Sequence, residues 1–565
     1  MILDYLPRNG QFILTVKQAE HNVQELMLHH GLDLSRPRSS ETVALLYTKN
    51  PYSVVDFYEA GTPAATARLL PLSSRIQSSF ASGSDRHIDL PADKELWPFQ
   101  KAAVSYALEG FEETWDAVPN SILGDEPGLG KTEEAIAIAN EIRASRALVV
   151  CPGAVRDQWA NRILEWSTMP DLWVIMRNGV RMPALNKIMP VTSSRRGVST
   201  TAPWTIVSYD LLRRPAILEA LMAAPEFDLL ILDEAHYVKS ATAMRTSAIF
   251  GSAGIHTRCH AVLALTGTLL PNRPAEAYVL ASGMHPSAID HATQEDFADR
   301  YNPREKLSYI DPVTGKIKFR VQETVGRTRE LQARLRGNFM TRHVKRGVHG
   351  VMTQLKMPVY DIVRMLETGA VRAALDAERL LDIDPERDIG QQLADPGLRG
   401  SVSTVRKAMG VALAPQFVDY IRMVLRGGEE KLVVFAWHAI VMDMLCAGLD
   451  EWGVLRVDGR TSAANKRRMV NEFQTDPFWR LILGNTLTLG TGTDGLQFVC
   501  NHAIICEPSW VPGENVQCFD RLDRGGQQRT VYGEILVAPN SLSEGILAAA
   551  LGKMRPINQA LDRRE

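Results

Sequence analysis

One glycine-bearing stretch carries the clearest chemistry in the sequence: Gly124-Asp125-Glu126-Pro127-Gly128-Leu129-Gly130-Lys131-Thr132. It follows a short apolar run and opens a helix-like run over residues 133–142. Such a strand, turn and helix N-terminus direct backbone N–H groups and the positive end of the helix dipole at one point. That arrangement predicts a polyphosphate site in which Lys131 contacts the β- and γ-phosphates and Thr132 contacts Mg²⁺. Asp125 stands where the strict phosphate-loop pattern has glycine, so the alternative is a surface turn with a chance lysine.

A pair of acids provides the second element. Asp233-Glu234-Ala235-His236 ends the apolar run 229–232 and lies about a hundred residues after the glycine stretch, the order of a Walker B element. Phosphoryl transfer to water needs charge neutralisation and an oriented nucleophile. We therefore assign Asp233 to Mg²⁺ and Glu234 to activation of the attacking water.

A pair of arginines near the C-terminal end provides the third. Arg521 and Arg524 are three residues apart, which on a helix places them on one face, where they can stabilise charge on a transferring phosphoryl group. The alternative role is a plain ion pair with Asp520 or Asp523.

Bulk composition bounds the class of protein. The chain has 565 residues, which suggests three or four domains, and 45% apolar and 23% charged residues are ordinary for a folded globular protein. The net charge of −2 gives no sign of a nucleic-acid binder but leaves room for a local basic groove. The six cysteines are scattered, which predicts reduced thiols and no zinc site. No signal peptide and no run of eighteen apolar residues is recognisable, so we expect a cytoplasmic protein that does not span a membrane.

The elements that position these residues alternate in type. Apolar runs separated by helical runs, each ending in polar, proline or glycine residues, predict two parallel sheets whose carboxyl edges carry the ligands. The first set of strand candidates is 121–123, 147–151, 204–209, 229–232 and 261–265, and the second set is 431–436, 455–458, 481–483, 503–506 and 535–537. Because only the first set carries a phosphate loop, we expect nucleotide in a cleft between two lobes that hydrolysis moves against each other.

The remaining segments are less specific. Residues 1–90 read as a small α+β domain, with an Asn9-Gly10 hairpin, strands over 42–47 and 52–58, and a serine-rich linker over 73–85. Residues 286–425 read as a mainly helical insertion. It includes a basic run, 327–346, that is either a solvated helix face or a nucleic-acid contact.

Together these motifs resemble the Swi/Snf-type (Snf-two family) superfamily-two DNA-dependent ATPases over residues 90–550. The quoted segments are Leu96 to Gln100 (adenine-contacting Q element), Asp125 to Thr132, Leu148 to Pro152 with Gln158-Trp159, Asp233 to Ser240, Leu265 to Thr268 with Asn272 to Tyr278, Val457 to Ser462, Gly495 to Gln497, and Gln517 to Gln527. The Arg-Pro-Ala-Glu tail at 273–276 is closest to the annealing-helicase branch. The last of these segments, Gln517 to Gln527, departs from the family pattern with Asp523 in place of histidine and Gly525 in place of an apolar residue. Val511 replaces an asparagine after Trp510.

The resemblance implies a fold, ligands and site residues. It implies two RecA-like α/β lobes at 91–285 and 426–540, the helical insertion between them and a helical brace at 541–565. The implied ligands are ATP and Mg²⁺, and the implied partner is double-stranded or branched DNA, with no membrane, no zinc and a monomeric chain. Implied catalytic residues are Lys131, Asp233, Glu234, Gln517, Arg521 and Arg524; nucleotide contacts are Phe99, Gln100, Gly128, Gly130, Lys131, Thr132 and Gly495; metal ligands are Thr132 and Asp233. Implied DNA-contacting or coupling residues are Pro152, Ser208, Lys239, Thr266, Gly267, Thr268, Gly459, Arg460, Thr461 and Trp510.

The resemblance implies an ATP-dependent translocase on duplex DNA, in a compact bacterial or phage member of the family. Two alternatives stay open: a strand-separating helicase, which needs a wedge element, and an interaction protein with a vestigial ATPase core. RNA is a weaker alternative as the polymer. Intact Lys131, Asp233 and Glu234 argue against a vestigial site.

Overall fold

The computed structural model describes residues 1–17, 22–34, 43–112, 120–169, 171–176, 179–182, 187–189, 203–267, 274–310, 317–345, 358–381, 383, 392, 396–490, 493–509 and 512–548. It divides into two compact units. Within the described residues, unit 1 contains Met1–Glu126 and Gly130–Val344, and unit 2 contains Pro127–Leu129 and the residues from Lys345 onward.

Unit 1 begins with a small antiparallel sheet. Its strands are β1 (Ile2–Leu6), β2 (Gln11–Lys17), β3 (Asp33–Leu34) and β4 (Val43–Thr48), in the order β1-β2-β4-β3. The β1–β2 hairpin is confirmed, with Gly10 at a φ of 60° in the turn. The predicted strand over 52–58 is wrong: the chain forms 3-10 turns at Pro51–Ser53 and Val55–Ala60. Asn50 caps the first of them by accepting from the Tyr52 N–H at 3.0 Å.

The serine-rich segment is partly helical rather than a linker. A helix spans Pro63–Ser78, and Arg75 in it pairs with Glu109 at 3.1 Å. Ser79 follows it and is fully buried. The carbonyl of Ser79 accepts from the Arg336 guanidinium at 3.0 Å and from the Thr341 hydroxyl at 3.1 Å. Long-range contacts of this kind override the loop-like composition of the segment.

The main sheet of unit 1 is mostly parallel and forms the floor of the site. Its strands are β5 (Asn120–Leu123), β6 (Ala147–Cys151), β7 (Leu172–Met176), β8 (Gly179–Met182), β9 (Lys187–Met189), β10 (Trp204–Ser208), β11 (Phe227–Asp233) and β12 (Cys259–Leu265). All five strands predicted for the first lobe are confirmed. Along β6, Leu148 and Val150 join one hydrophobic cluster while Val149 and Cys151 join another, so both faces of the sheet are covered.

Helices cover this sheet and connect its strands. They span Val23–His30, Pro63–Ser78, Pro98–Glu112, Lys131–Glu141, Arg156–Trp166, Tyr209–Leu212, Pro215–Met222, Met244–Phe250, Tyr278–Met284, Gln294–Tyr301 and Thr328–Asn338. Short 3-10 turns lie at Gly153–Val155, Ala235–Val238, Ile255–Arg258, Pro274–Ala277 and Pro286–Ile289.

The segment predicted as a helical insertion also supplies strands. β13 (Arg304–Ile310) and β14 (Ile317–Glu323) form an antiparallel hairpin, and β15 (Met340–Thr341) adds to the edge of the main sheet beside β5. The main sheet has the order β15-β5-β12-β11-β6-β10-β7-β8-β9. The division between the units falls at Val344 and Lys345, inside the predicted insertion.

Unit 2 is built on a parallel sheet of six strands. These are β16 (Val359–Arg364), β17 (Leu432–Ala436), β18 (Val454–Val457), β19 (Leu481–Asn485), β20 (His502–Ile505) and β21 (Tyr532–Val537), in the order β16-β21-β20-β17-β19-β18. Its helices span Gly369–Arg379, Pro396–Arg426, Ala439–Leu449, Ala463–Thr475, Thr486–Leu489 and Pro512–Phe519, with 3-10 turns at Asp450–Trp452 and Leu496–Phe498. The five strands predicted for the second lobe are confirmed, and β16 was missed.

The long helix of unit 2 is its main covering element. Its stretch Gly397–Arg426 is long and apolar enough to cross a membrane by length and composition. Leu413, Phe417 and Ile421 on it are buried in the same cluster as Leu432 and Val434 of the sheet. This helix, predicted to lie in an insertion, therefore packs as a core helix of unit 2.

Candidate ATPase site

The phosphate loop has the geometry that its sequence predicts. Between β5 and the helix Lys131–Glu141, Gly128 and Gly130 have φ angles of 90° and 89°, which glycine adopts without strain. The Lys131 ammonium donates to the carbonyl of Asp125 at 2.5 Å and to that of Glu126 at 3.3 Å. Lys131 is thus held at the loop by carbonyl oxygens, with its side chain half-buried.

Two residues of the Q element, Phe99 and Gln100, were predicted to contact nucleotide, and only Gln100 lies against this loop. A Cβ at Gly130 would lie 2.2 Å from the Gln100 side-chain nitrogen, so the Gln100 side chain lies directly against the loop. The Gln100 side-chain oxygen accepts from the Trp97 N–H at 2.9 Å. Phe99 is fully buried, with its ring centroid 5.6 Å from that of His343. The Phe99 side chain therefore packs in the core, contrary to its predicted nucleotide contact.

Asp125, the departure from the strict phosphate-loop pattern, has a structural explanation. It is fully buried, and its carboxylate accepts from the His343 backbone N–H at 2.9 Å and lies 3.0 Å from the His343 ring Nδ1. Burial opposes the charge on Asp125, but His343 and Lys131 outweigh burial and hold the pKa of Asp125 below its usual value. The same pairing outweighs burial of the ring and raises the pKa of His343.

The basic run after β15 therefore anchors the site instead of facing solvent. Arg342 is buried, and its guanidinium donates to the carbonyl of Gly124 at 2.6 Å and to that of Gly267 at 3.0 Å. It joins the start of the phosphate loop to the loop that follows β12. Neither a solvated helix face nor a nucleic-acid contact, the two interpretations of the basic run, predicted this role. The contacts connect residues that are far apart in sequence.

The acidic pair ends β11 as predicted. Trp159 Nε1 donates to the Asp233 carboxylate at 2.7 Å, and the Tyr209 hydroxyl donates to the Asp233 carbonyl at 2.8 Å. Burial and the neighbouring Glu234 charge raise the pKa of Asp233 to about 6. Trp159 orients the carboxylate. In the sequence it was noted only as part of the family-like segment Leu148 to Pro152 with Gln158-Trp159.

Glu234 has a left-handed backbone, with φ at 50°. Non-glycine residues in this region cost about 1 kcal/mol or more and concentrate at functional sites. Its carboxylate lies 3.3 Å from the His236 ring Nδ1. The chain thus places a strained, partly exposed acid directly beside the half-buried Asp233.

These residues fit a magnesium nucleotide. Within the described residues no group of three His, Cys, Asp or Glu side chains could hold a metal alone. A single carboxylate with one hydroxyl from Thr132 suits Mg²⁺, which takes its other ligands from phosphates and water. Thr132 and Asp233 would hold the ion, which would supply charge neutralisation at the phosphates, and Lys131 would add its own positive charge there.

The arginines of unit 2 lie beyond the helix Pro512–Phe519, in turns, and not on one helical face. Arg521 donates to the Gln517 carbonyl at 3.2 Å and Arg524 to the Asp520 carbonyl at 2.8 Å. Both guanidiniums also lie 3.4 Å from the carbonyl of Thr493. The turn thus brings the two predicted cations to one point.

Other predicted residues of unit 2 lie in further loops of that unit. Gly495, with φ at 100°, accepts from the Gln474 side chain at 2.7 Å and has no room for a Cβ. Gly459 has open space around it, and the Arg460 side chain is 83% exposed. Thr461 accepts from the Asp458 N–H at 3.0 Å.

The predicted coupling residues of unit 1 are mostly engaged inside it. Ser208 and Thr266 are buried, and Ser208 caps the helix Tyr209–Leu212. Pro152 precedes the turn after β6, and Lys239 pairs with Glu276 at 3.2 Å, which links motif II to the Arg-Pro-Ala-Glu tail. Thr268 and Trp510 lie outside the described residues.

The SNF2-related domain model matches residues 50–367, more than half of the chain. The chain belongs to the SNF2-related family. A Xenopus laevis SWI/SNF-related matrix-associated actin-dependent regulator of chromatin subfamily A-like protein 1 is 26% identical over 490 residues, covering 84% of this chain and 45% of that protein. The human DNA annealing helicase and endonuclease ZRANB3 is 28% identical over 476 residues, covering 82% and 40%. The chain thus spans less than half the length of these two relatives.

A solved structure of the Sulfolobus solfataricus SWI2/SNF2 ATPase core in complex with dsDNA is also similar. It is 15% identical with a TM-score of 0.38, covering 86% of this chain and all of that one. The family assignment of this SNF2-related protein comes from the domain match and agrees with the resemblance that its motifs predict.

Proposed function

We propose that this SNF2-related protein is a DNA-dependent ATPase that moves along double-stranded DNA by tracking the backbone. The observation that carries the proposal is the joining of the phosphate loop, through Arg342, to the loop after β12 within the family-matched region. In such an arrangement a change at the nucleotide phosphates is transmitted to a second loop at the same sheet edge. The relatives described as a DNA annealing helicase and as a SWI/SNF-related regulator support DNA as the polymer.

In the proposed reaction each residue has one role. Lys131 and the phosphate-loop N–H groups bind the phosphates. Asp233, whose carboxylate is oriented by Trp159, would bind the Mg²⁺ ion that accompanies them. Glu234 accepts a proton from the attacking water. Arg521 and Arg524 stabilise the charge of the transition state during turnover, since such arginines act on the equatorial oxygens.

Exposed arginines of unit 2 are the proposed DNA-binding residues. Arg460, Arg467 and Arg468 are exposed, whereas the neighbouring Lys466 donates to the Thr488 carbonyl at 2.6 Å and is largely buried. Contacts to phosphates carry no sequence information and weaken steeply with salt. The variant R460A/R468A should weaken duplex binding, and R372A/R379A, which removes two exposed arginines of the helix Gly369–Arg379, should not.

The test of the proposal compares ATPase rates with no polymer, single-stranded DNA, duplex DNA, forked DNA and RNA. We expect duplex DNA to stimulate most, and ATP-dependent triplex displacement without unwinding of a forked duplex. Stimulation by RNA alone, or hydrolysis indifferent to every polymer, would contradict the proposal.

The β13–β14 hairpin supports strand separation as a second candidate function. It pairs seven residues on each side, from Arg304 opposite Glu323 to Ile310 opposite Ile317, and forms a separate two-stranded sheet. A hairpin of this length is the kind of element that a wedge requires. If the protein separates strands, replacing residues 306–321 with a short Gly-Ser turn will abolish forked-duplex unwinding and leave triplex displacement intact.

A further inference from the structure

Lys345, which begins the main segment of unit 2, is bound to the turn that carries the arginines. Its ammonium lies 2.6 Å from Asp520 Oδ1 and 2.8 Å from Asp523 Oδ2. The Lys345 side chain is 13% exposed, and the two carboxylates are 5% and 3% exposed. Each of these acids directly precedes one of the arginines, Arg521 and Arg524.

Charged side chains of both signs lie around this turn, and Lys466 is a further cation near Arg521. Lys345, Arg521 and Arg524 contribute three positive charges, and Asp494, Asp520 and Asp523 contribute three negative ones. Asp494 pairs with Arg524 at 3.4 Å. Burial opposes the charge on Lys345, but the two carboxylates outweigh burial and raise the pKa of Lys345 above its usual value. Lys345 therefore remains charged at neutral pH, with its charge directed at both acids.

Without Lys345 the acids have other cations within reach. One oxygen of Asp520 is already buried without a hydrogen-bond partner, so loss of Lys345 leaves a poorly satisfied carboxylate beside Arg521 and Arg524. The nearest way to satisfy it is an arginine. A buried aspartate would hold a guanidinium away from phosphate more firmly than the present 3.4 Å contact of Arg524 with Asp494, whose side chain is 38% exposed. Asp523 is also one of the positions at which this chain departs from the family pattern that its motifs resemble, where histidine is usual.

We propose that Lys345 is a positioning residue: by occupying Asp520 and Asp523 it keeps Arg521 and Arg524 available for phosphoryl transfer. This inference rests on the proposed ATPase function and names a residue that acts through the arginines without contacting nucleotide. The preceding residues, Arg342 and His343, are anchored at the phosphate loop in unit 1. The four-residue segment 342–345 therefore contains the side chains that hold the phosphate loop and the side chain that pairs with the acids of the arginine turn.

The test is the steady-state ATPase of Lys345→Met, alone and combined with Arg524→Ala. We expect kcat to fall about tenfold or more with KM for ATP within about twofold, and little further loss when Arg524 is already alanine, because residues acting as a unit are non-additive. A wild-type kcat in Lys345→Met, or a loss that multiplies in full with that of Arg524→Ala, overturns the inference.

Lys431→Met is the matched control. Lys431 also lies in unit 2 and is held by three groups, but all are backbone carbonyls, those of Phe473, Asp476 and Trp479. Its loss should lower thermal stability, and its effect on kcat should not depend on Arg524. The milder Asp523→Asn leaves Lys345 paired with Asp520, and adding it to Lys345→Met should restore part of kcat because one unpaired carboxylate is removed.

A second measurement separates this inference from the proposed function. Hydrogen–deuterium exchange over residues 517–527 should be faster in Lys345→Met than in the wild type, with exchange in β17 unchanged. If that segment exchanges at the wild-type rate, Lys345 does not hold the turn, whether or not the protein hydrolyses ATP. Absence of ATPase activity in the wild type with every polymer contradicts the proposed function instead.

Discussion

The phosphate loop of unit 1 and the arginine turn of unit 2 differ in the side chain that pairs with their buried aspartates. In both, the side chain proposed to bind phosphate, Lys131 in the loop and Arg521 or Arg524 in the turn, lies near an aspartate of the same segment. A second cationic side chain forms an ion pair with that aspartate. At the phosphate loop the second cation is His343, paired with Asp125 alone. At the arginine turn it is Lys345, shared by Asp520 and Asp523.

The difference is in how the two supports respond to pH and to mutation. A histidine loses its charge near neutrality, whereas a lysine paired with two carboxylates keeps it. The support of the phosphate loop is therefore pH-sensitive and that of the arginine turn is not. Loss of Lys345 leaves two carboxylates unpaired, and loss of His343 leaves one.

The largest expected effect comes from the cation of the phosphate loop itself. Lys131→Ala should abolish ATP hydrolysis and leave the fold intact, because Lys131 contacts only loop carbonyls at Asp125 and Glu126 among its hydrogen bonds in the described structure. Glu234→Gln should retain nucleotide binding and lose turnover. ATPase assays with nucleotide-binding titrations check both, with Lys17→Ala as a control; hydrolysis at the wild-type rate in Glu234→Gln would refute its role with water.

The arginine turn gives the next largest effect. Arginines of this kind contribute about a thousandfold or more to turnover, so Arg524→Ala and Arg521→Ala should each lower kcat by orders of magnitude with little change in ATP affinity. Arg529→Ala is the control, since Arg529 is nearby but donates to the Val499 carbonyl at 2.8 Å. Normal turnover in both arginine variants would mean that the turn is structural and that the comparison with the phosphate loop fails.

The His343–Asp125 pair sharpens the comparison through pH. His343→Gln should lower the free energy of unfolding by about 3 kcal/mol at pH 6, the usual cost of breaking a buried pair. Because the pKa of His343 is raised in the folded state, the stabilisation is complete below the unfolded pKa and is lost as pH rises through the folded one.

Urea unfolding of the wild type and His343→Gln at pH 6 and pH 9 measures this difference. The gap between the two proteins should shrink at the higher pH. His256→Gln is the control, because His256 Nδ1 contacts the Ile249 carbonyl, at 2.6 Å, and not an acid. An equal gap at both pH values would show that the ring charge contributes nothing.

The smallest expected effect concerns Lys466. Burial, followed by the charge of Arg521, lowers the pKa of Lys466 to about 8. Lys466→Met should raise the free energy of unfolding at pH 7 by about 1 kcal/mol, because it removes a charge that the folded state disfavours.

The sign of its pH dependence follows from the lowered pKa. Between the folded pKa and the unfolded value near 10.5, the unfolded chain binds more protons, so the wild type gains stability as pH rises. The advantage of Lys466→Met should therefore shrink between pH 7 and pH 10 in urea unfolding. An advantage that grows with pH would contradict the assigned charge state.

The local motifs and the two parallel sheets could be predicted from the sequence because their physical causes are local. Glycines at 128 and 130 fix the loop, and continuous apolar runs such as 147–151 specify buried parallel strands. The acids at the end of β11 follow from the same pattern. For these elements the required neighbours lie within a few residues in the chain.

What only the tertiary structure decided is how the charges near those motifs are used. Asp125 meets His343 across 218 residues of sequence, and Lys345 meets Asp523 across 178. The basic run at 342–345 looks the same whether it faces solvent, DNA or buried acids, because charge alone does not specify burial. Folding brings the acids to these cations, and burial makes each charge depend on its partner, so their role was not readable from the sequence.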